Sequence, residues 1–375
     1  MRILIAAAFF PPYRGGYAES VRGLSAALAA RGHKVTVVTC TTLPGNPEEA
    51  GHAVRIIRIP SWNPAALHGS FPIPHPFAAW RAFHAAMRGG CEVISTQTRF
   101  FPITLLAFAF GKLHGIRIVH TEHGSAHSVS HNFIISMLAR LADETVGRLI
   151  FSFSDRVSGV SDAACAFARR LGAHDPACIP NGIDAGWWRR PKIPASDASP
   201  RILFVGRLVY AKGVQDLLLA VAGLSARPYA PVVSLVGDGP YRAELERLAV
   251  RLRLSPPVEF HGALPISRVR AETWRSSVSV TPSYSEGLPY SVLEAAAAGV
   301  PIIATDVGGT REITSGMSGA FLYSPGDCAA LAALLDRVLQ PQFPGVSRNF
   351  DADRFSWGAS SVRYESLFRS VCSGA

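Results

Sequence analysis

Two carboxylates, Glu286 and Glu294, stand eight positions apart in the run Glu286-Gly287-Leu288-Pro289-Tyr290-Ser291-Val292-Leu293-Glu294. Residues 278–282 before it read as a strand, and the alanine-rich stretch after it reads as a helix. A strand that turns through Gly-Leu-Pro into a helix presents loose backbone amides, and the positive end of a helix favours an anion there. Eight residues make a little over two helical turns, so Glu286 is expected at the loop mouth and Glu294 further along the same face. Capping of the helix by Glu286 is a compatible second reading. Amides for phosphate and carboxylates for hydroxyls together suit a nucleotide sugar.

A second group is cationic. Arg207 and Lys212 follow a strand-like run at 202–205. Two cations beyond a strand end can neutralise a diphosphate, with arginine able to bind it bidentately. Two solvated surface charges are the plainer alternative. Near the start, Gly15-Gly16 follows the strand at 2–7, where glycine lets backbone amides approach a phosphate or sugar closely. The spacing is not Gly-x-Gly-x-x-Gly, which disfavours a nicotinamide cofactor.

His120-Thr121-Glu122-His123-Gly124 ends another strand. His123, His127 and His131 recur every four residues, which on a helix would align three metal ligands. Gly124-Ser125 argues against a helix there, and a metal site needs convergent geometry. A neutral imidazole donating to a sugar hydroxyl and an ordinary surface histidine are the other readings. Asp351-Ala352-Asp353 is better explained as a helix N-cap ahead of Phe355-Ser356-Trp357 than as a metal site. No metal is expected at either place. Arg99-Phe100-Phe101-Pro102 and Trp187-Trp188-Arg189-Arg190 have no assigned role; core or linker packing is favoured over an acceptor groove or a membrane surface.

The elements that must position these residues alternate. Strands are expected at 2–7, 34–40, 53–59, 93–96, 117–121 and 156–160, and again at 202–205, 232–236, 258–260, 278–281 and 301–305. Helical patterns fall at 19–31, 215–224, 241–252, 293–298 and 328–339. Pro191, Pro194 and Pro200, with Ser196, Asp197 and Ser199, mark a linker between the two series. Alternation of this kind implies parallel sheets flanked by helices, with ligands beyond the carboxyl ends of the strands.

The chain has 375 residues, too many for one core by ordinary proportions, and is 48% hydrophobic and 17% charged. Its net charge is +10; residues 1–184 hold 17 basic and 11 acidic side chains, and residues 185–375 hold 20 and 16. A mild, spread excess fits a phosphorylated substrate or an acidic lipid surface, and no basic run or RNA-binding signature supports nucleic acid. Six scattered cysteines without Cys-x-x-Cys read as free thiols in a reducing compartment. Residues 1–10 read as a first strand rather than a signal peptide, and no apolar run reaches bilayer length.

The blocks in order resemble glycosyltransferase family 4, glycosyl transferases group 1, a family of retaining enzymes with the GT-B fold. The donor-site signature resembles Glu286 to Glu294 followed by Gly299-Val300-Pro301 through Gly308-Gly309. Val205-Gly206-Arg207-Leu208 with Lys212-Gly213, then Val236-Gly237-Asp238-Gly239-Pro240, resemble two further strand-loops. Pro180-Asn181-Gly182-Ile183-Asp184 resembles the segment before the domain boundary, and Pro11-Pro12 with Gly15-Gly16 the N-terminal glycine loop. The resemblance implies an α/β chain of two Rossmann-like domains with parallel sheets facing across a central cleft: 1–184 on the acceptor side, a linker at 185–200, 201–350 on the donor side, and a helix at 351–375 returning to the first domain. Arg207 and Lys212 would then hold the diphosphate and assist its departure, and Glu294 would bind the ribose. Glu286 and His123 would face the donor sugar. Gly15, Gly16, Gly206, the amides of Gly287 and Leu288, and Pro289 would complete donor binding. The implied activity is transfer from a UDP- or GDP-sugar to a hydroxyl of a glycan or lipid-linked acceptor in bacterial envelope or exopolysaccharide synthesis. The implied setting is cytoplasmic, with peripheral association at the inner membrane face, and without metal or other cofactor. A sugar-nucleotide epimerase of the same fold and an inactive sugar-nucleotide-binding protein are the rival readings.

Overall fold

The structure, a computed structural model, describes residues 1–41, 48–50, 54–63, 71–129, 132–191, 199–224, 231–254, 258–340, 342–343 and 350–373. Two compact units result. Met1–Ser128, Asn132–Gly182 and Asp353–Ala375 form the first, and Ile183–Ala352 make up most of the second.

In the first unit the chain runs β1 (Arg2–Ala7), α1 (Gly16–Ala30), β2 (Lys34–Thr41), β3 (Glu48–Ala50), β4 (Val54–Trp62), β5 (Ile73–Pro74), α2 (Pro76–Ala86), β6 (Val93–Gln97), α3 (Pro102–Leu113) and β7 (Arg117–Glu122). It continues through α4 (Phe133–Ala142), a π turn at Asp143–Gly147, α5 (Arg148–Phe153), β8 (Arg156–Gly159), α6 (Asp162–Arg170) and β9 (Ala177–Cys178). The sheet order is β3-β4-β2-β1-β6-β7-β8-β9, parallel except where β3 and β5 pair with β4. Central β1 shows why the run Arg-Ile-Leu-Ile-Ala-Ala reads as uninterrupted: both its faces are covered. Ile3, Ile5 and Ala7 pack with Val21, Leu24 and Leu28 of α1, whereas Leu4 and Ala6 pack with Phe83 of α2 and Ile103 and Phe110 of α3.

In the second unit the order is α7 (Ala185–Trp188), β10 (Arg201–Val205), α8 (Val214–Ala222), β11 (Val232–Val236), α9 (Arg242–Arg251), β12 (Glu259–Gly262), α10 (Ile266–Arg275), β13 (Val278–Thr281), α11 (Tyr290–Ala298), β14 (Ile302–Thr305), α12 (Thr310–Thr314), β15 (Ala320–Tyr323) and α13 (Cys328–Val338). Its parallel sheet runs β12-β11-β10-β13-β14-β15. Ile202, Phe204, Leu235, Val280 and Ile303 form a continuous core with Leu217, Leu218, Leu331 and Leu335 of the covering helices.

The last helix, α14 (Trp357–Cys372), returns to the first unit, as the resemblance implied. Tyr364, Phe368 and Val371 join the α1 side of that core. The Trp357 ring fills a slot floored by Gly23 and Gly182, where a Cβ on either glycine would collide with it. Ser360 Oγ donates to Pro180 O at 2.6 Å, and Ser20 Oγ to Asn181 Oδ1 at 2.7 Å. The Pro180-Asn181-Gly182 block is therefore a seat for α14.

Two expectations need correction. Ser356, not Asp351 or Asp353, caps α14, accepting from Ala359 N at 3.0 Å; its hydroxyl is three residues before that amide, the spacing a cap requires. Residues 185–188, expected as linker, form α7, whose Trp188 is buried. The Arg270 guanidinium lies between the Trp187 and Trp274 rings, 3.9 and 4.5 Å from their centroids, so the tandem tryptophans are packing residues of the second unit. Ala53 and the linker residues Pro194, Ser196 and Asp197 lie outside the described residues.

Candidate active site

In the second unit, β10 is flanked by β11 on one side and β13 on the other. Successive strands run outward from β10 through β11 to β12, then resume on its opposite side at β13. The loops after β10 and β13 diverge at this reversal, which is where open sheets of this kind take their ligands.

Arg207 and Lys212 both stand on the β10 loop. Gly206 N donates to Val236 O at 2.9 Å, Leu208 N to Asp238 O at 3.0 Å and Lys212 N to Val209 O at 3.0 Å, so the loop is held along its length. Gly213 ends it at φ +65°, and a Cβ there would run into the Pro282 carbonyl oxygen. That close approach brings the β10 loop onto the β13 loop. Tyr284 N donates to Ala211 O at 2.8 Å, and Tyr284 Oη to Asp216 Oδ1 at 3.0 Å.

Glu286 meets Lys212 in this contact. Its Oε1 accepts from the Lys212 ammonium at 2.5 Å and from Ser283 Oγ at 2.7 Å. From the other side, Gly308 at φ +57° lets the β14 loop press against the Glu286 carbonyl, and Gly309 N donates to Gly287 O at 2.7 Å. Helix α11 starts only at Tyr290, with Pro289 as its uncapped N-cap. Glu286 therefore sits in the loop, four positions ahead of the helix, and does not share a helical face with Glu294. The reason is Pro289: a proline disfavours helical geometry in the residue before it. Glu294, 8% exposed, lies in the second turn of α11, and Leu288 is buried, anchoring the loop by its side chain.

The Arg207 side chain is exposed and has no hydrogen-bond or ion-pair partner among the described residues. Partial desolvation by the surrounding protein lowers its pKa from the ordinary arginine value even though the side chain reaches solvent, and a guanidinium stays charged at neutral pH. An open cation thus stands on the same loop as a paired one, with the positive end of helix α11 on the neighbouring loop.

The first unit brings a second set together. Gly15 is the N-cap of α1 at φ +131°, Gly16 is the first helical residue, and no side chain caps this helix. Tyr17 Oη accepts from Ala8 N at 3.2 Å and donates to Gln97 O at 3.3 Å, joining the loop after β1 to the end of β6. The His123 ring packs 5.3 Å from the Tyr17 ring. His123 Nε2 lies 2.8 Å from Gln97 Oε1, while Gln97 Nε2 donates to Ser95 Oγ at 2.9 Å. A carbonyl oxygen only accepts, so the His123 proton sits on Nε2 and Nδ1 remains the acceptor. With Nε2 turned to Gln97, the ring offers Nδ1 as an acceptor. Burial pushes its pKa down to about 4, against an opposing pull from Glu122, which keeps the ring neutral.

The four-residue histidine spacing is not a helical one among the described residues. The chain after β7 is not helical at His123 or His127, and His127 Nδ1 bonds Asp143 Oδ2 at 2.7 Å. His131 lies outside the described residues.

One arrangement had no sequence counterpart. Arg99, 2% exposed, places Nη1 2.8 Å from Glu122 Oε1, Nε 2.8 Å from Asp143 Oδ1 and Nη2 2.9 Å from Asp143 Oδ2. Glu122 Oε1 also accepts from Gly124 N at 2.7 Å. Burial would raise the Glu122 pKa, but the Arg99 charge, with help from His120 and Gly124, holds it down at about 2. The network fixes the backbone on both sides of His123. The available signal was an acid, Asp143, interrupting the apolar pattern of 133–153.

Each unit is a parallel α/β sheet whose working loops follow its strands. The Glycosyltransferase Family 4 profile matches residues 14–187, and the Glycosyl transferases group 1 profile matches residues 199–341. The chain belongs to glycosyltransferase family 4 and is a glycosyltransferase. It is 28% identical to the glycogen synthase of Mycobacterium tuberculosis over 367 residues, 90% of this chain and 86% of that protein. It is 26% identical to the alpha-monoglucosyldiacylglycerol synthase of Streptococcus pneumoniae over 367 residues, 90% of this chain and 78% of the relative. In fold it is similar to sucrose-phosphate synthase of Thermosynechococcus elongatus, with a TM-score of 0.79, 24% identity and coverage of 100% and 99% of the two chains. HepE of Anabaena, solved with UDP and glucose, aligns at a TM-score of 0.74 with 17% identity, covering 99% of this chain and all of the other.

Proposed function

We propose that this enzyme transfers a sugar from a nucleoside diphosphate sugar to a hydroxyl of a glycan or glycolipid acceptor, retaining the anomeric configuration. The observation that carries this reading is the pairing of open Arg207 with Glu286-bound Lys212 at the β10–β13 reversal. In the step proposed, the bond from the anomeric carbon to the diphosphate oxygen breaks. The acceptor oxygen bonds that carbon on the same face, and the acceptor proton passes to the departing phosphate. Arg207 and Lys212 neutralise the charge that grows on the diphosphate, which is the main electrostatic demand of such a step. An ammonium has three donors, so Lys212 can keep Glu286 while holding a phosphate oxygen. Glu294 accepts from the ribose hydroxyls, and the first amides of α11 face phosphate. His123, neutral and accepting through Nδ1, orients a hydroxyl of the donor sugar.

The names of the relatives support the donor and acceptor classes. A glycogen synthase and a glycolipid synthase both build glycosides, and HepE was solved with UDP, so UDP is the first nucleotide to try. The product assigned here is a bacterial envelope or exopolysaccharide glycan, made on the cytoplasmic side without a metal. The test is a thermal-shift panel of UDP, GDP, ADP and their sugars, since a ligand that binds only the folded state raises its melting temperature. A shift with one nucleotide identifies the base. No shift with any, confirmed by calorimetry, rejects the donor assignment.

A further inference from the structure

Helix α4 carries Phe133, Ile134, Ile135, Met137, Leu138 and Leu141, and none of its residues is buried. Phe133 is 79% exposed, Ile134 61% and Leu141 60%. At about 100° per residue these side chains cover roughly half the helix circumference. Ser136 and Ala139, both half-buried, occupy the opposite side, and buried Asp143 continues that line. Small and polar residues therefore face the protein while the large apolar ones face away. A helix that folds onto a core does the reverse. Leu149 and Phe153 of α5 are exposed as well, extending the apolar surface past the π turn. A contiguous exposed apolar face on this scale marks an interaction site.

Charge selects the partner. Between residues 132 and 142 the one charged side chain is Arg140, exposed, and Arg148 follows on α5. Acids nearby are engaged: Asp143 with Arg99, and Glu144 with Arg148 at 3.9 Å. The segment 1–184 that contains this face holds 17 basic against 11 acidic residues. An apolar face with a cationic border complements an anionic lipid bilayer, whose acyl layer is rimmed by negative headgroups. Ten residues rise about 15 Å, half a bilayer core, so the helix lies in the interface and does not cross it. Consistently, no helix among the described residues is long and apolar enough to span a membrane.

We propose that α4 docks this enzyme onto an anionic bilayer, lying parallel to the surface, with Phe133, Ile134, Met137, Leu138 and Leu141 in the acyl boundary and Arg140 at the headgroups. The inference rests on this face alone and is independent of the donor chemistry above.

The experiment is co-sedimentation of the full chain with vesicles of phosphatidylcholine, and of phosphatidylcholine mixed with phosphatidylglycerol. Wild type pellets with the mixed vesicles, and added salt weakens this. Leu138→Ser with Leu141→Ser lowers the vesicle-bound fraction roughly tenfold, since each loses apolar burial in the membrane. Arg140→Glu lowers binding to the mixed vesicles only. The exchanged side chains are exposed, so far-ultraviolet circular dichroism and melting temperature stay as in wild type. Absence of vesicle binding by wild type overturns the proposal, as does equal binding by the double serine variant. A dimer in light scattering that the serine variant splits, with no vesicle binding, also overturns it and makes a second copy the partner.

Discussion

The Lys212 ammonium and the Glu286 carboxylate meet at 2.5 Å although 74 residues separate them in the chain. They hang from loops on either side of the strand reversal, and their contact is backed by Ser283 and by main-chain bonds between the same loops. The pair holds a cation at the place where open sheets take phosphates, beside Arg207, which has nothing to neutralise it among the described residues.

Replacing both cations tests the role directly. Arg207→Ala with Lys212→Ala should lower kcat by about a thousandfold or more, the scale of losing oriented charge in a transition state. Arg207 is exposed and Lys212 half-buried, so the melting temperature should change little. Turnover near the wild-type rate, measured by release of the nucleotide, would falsify the assignment.

Gly213→Ala separates loop geometry from charge. The left-handed backbone strain is about 1 kcal/mol for a non-glycine residue, and the new Cβ also meets the Pro282 carbonyl. The loop must then withdraw from the β13 loop and carry Lys212 off Glu286. Urea denaturation should show modest loss of stability, while activity drops by a much larger factor. Equal activity in the variant would mean that Lys212 needs no such placement.

Arg99→Met should be costly. It leaves the buried carboxylates of Glu122 and Asp143 without their cation, a loss of roughly 3–5 kcal/mol. Urea midpoints report it. Adding Glu122→Gln and Asp143→Asn should restore part of the stability by removing the unpaired charges. If the triple variant is no more stable than the single one, burial of those charges is not the cause.

Acid should destabilise the first unit in two stages. The folded pKa of His123 is depressed to about 4, so its contribution is present above the unfolded value of about 6.5 and is lost as pH falls toward 4. Glu122 is also depressed, to about 2, so its contribution is lost below the unfolded value of about 4.5. Melting temperature followed against pH should fall through both windows. His123→Asn should flatten the upper one; a wild-type slope there would assign it to another group.

The sequence by itself determined much of this protein. Buried parallel strands need long apolar runs, so β1, β2, β10, β11 and β13 were legible within a residue or so, and parallel sheets put the working loops after them. Arg207, Lys212, Glu286 and Glu294 could be named as candidates because their types and the order of their blocks are local properties. Short edge strands such as β15 and β9 were missed, since pairing rather than apolar pattern defines them. Tertiary structure decided the rest. Glu286 lies ahead of its helix because Pro289 sets where α11 begins, and it pairs with Lys212 because Gly213 lets two loops touch. Arg99 became a buried hub, and α4 turned its apolar side outward. No spacing rule shows such things, because burial depends on what packs against a residue from elsewhere in the chain.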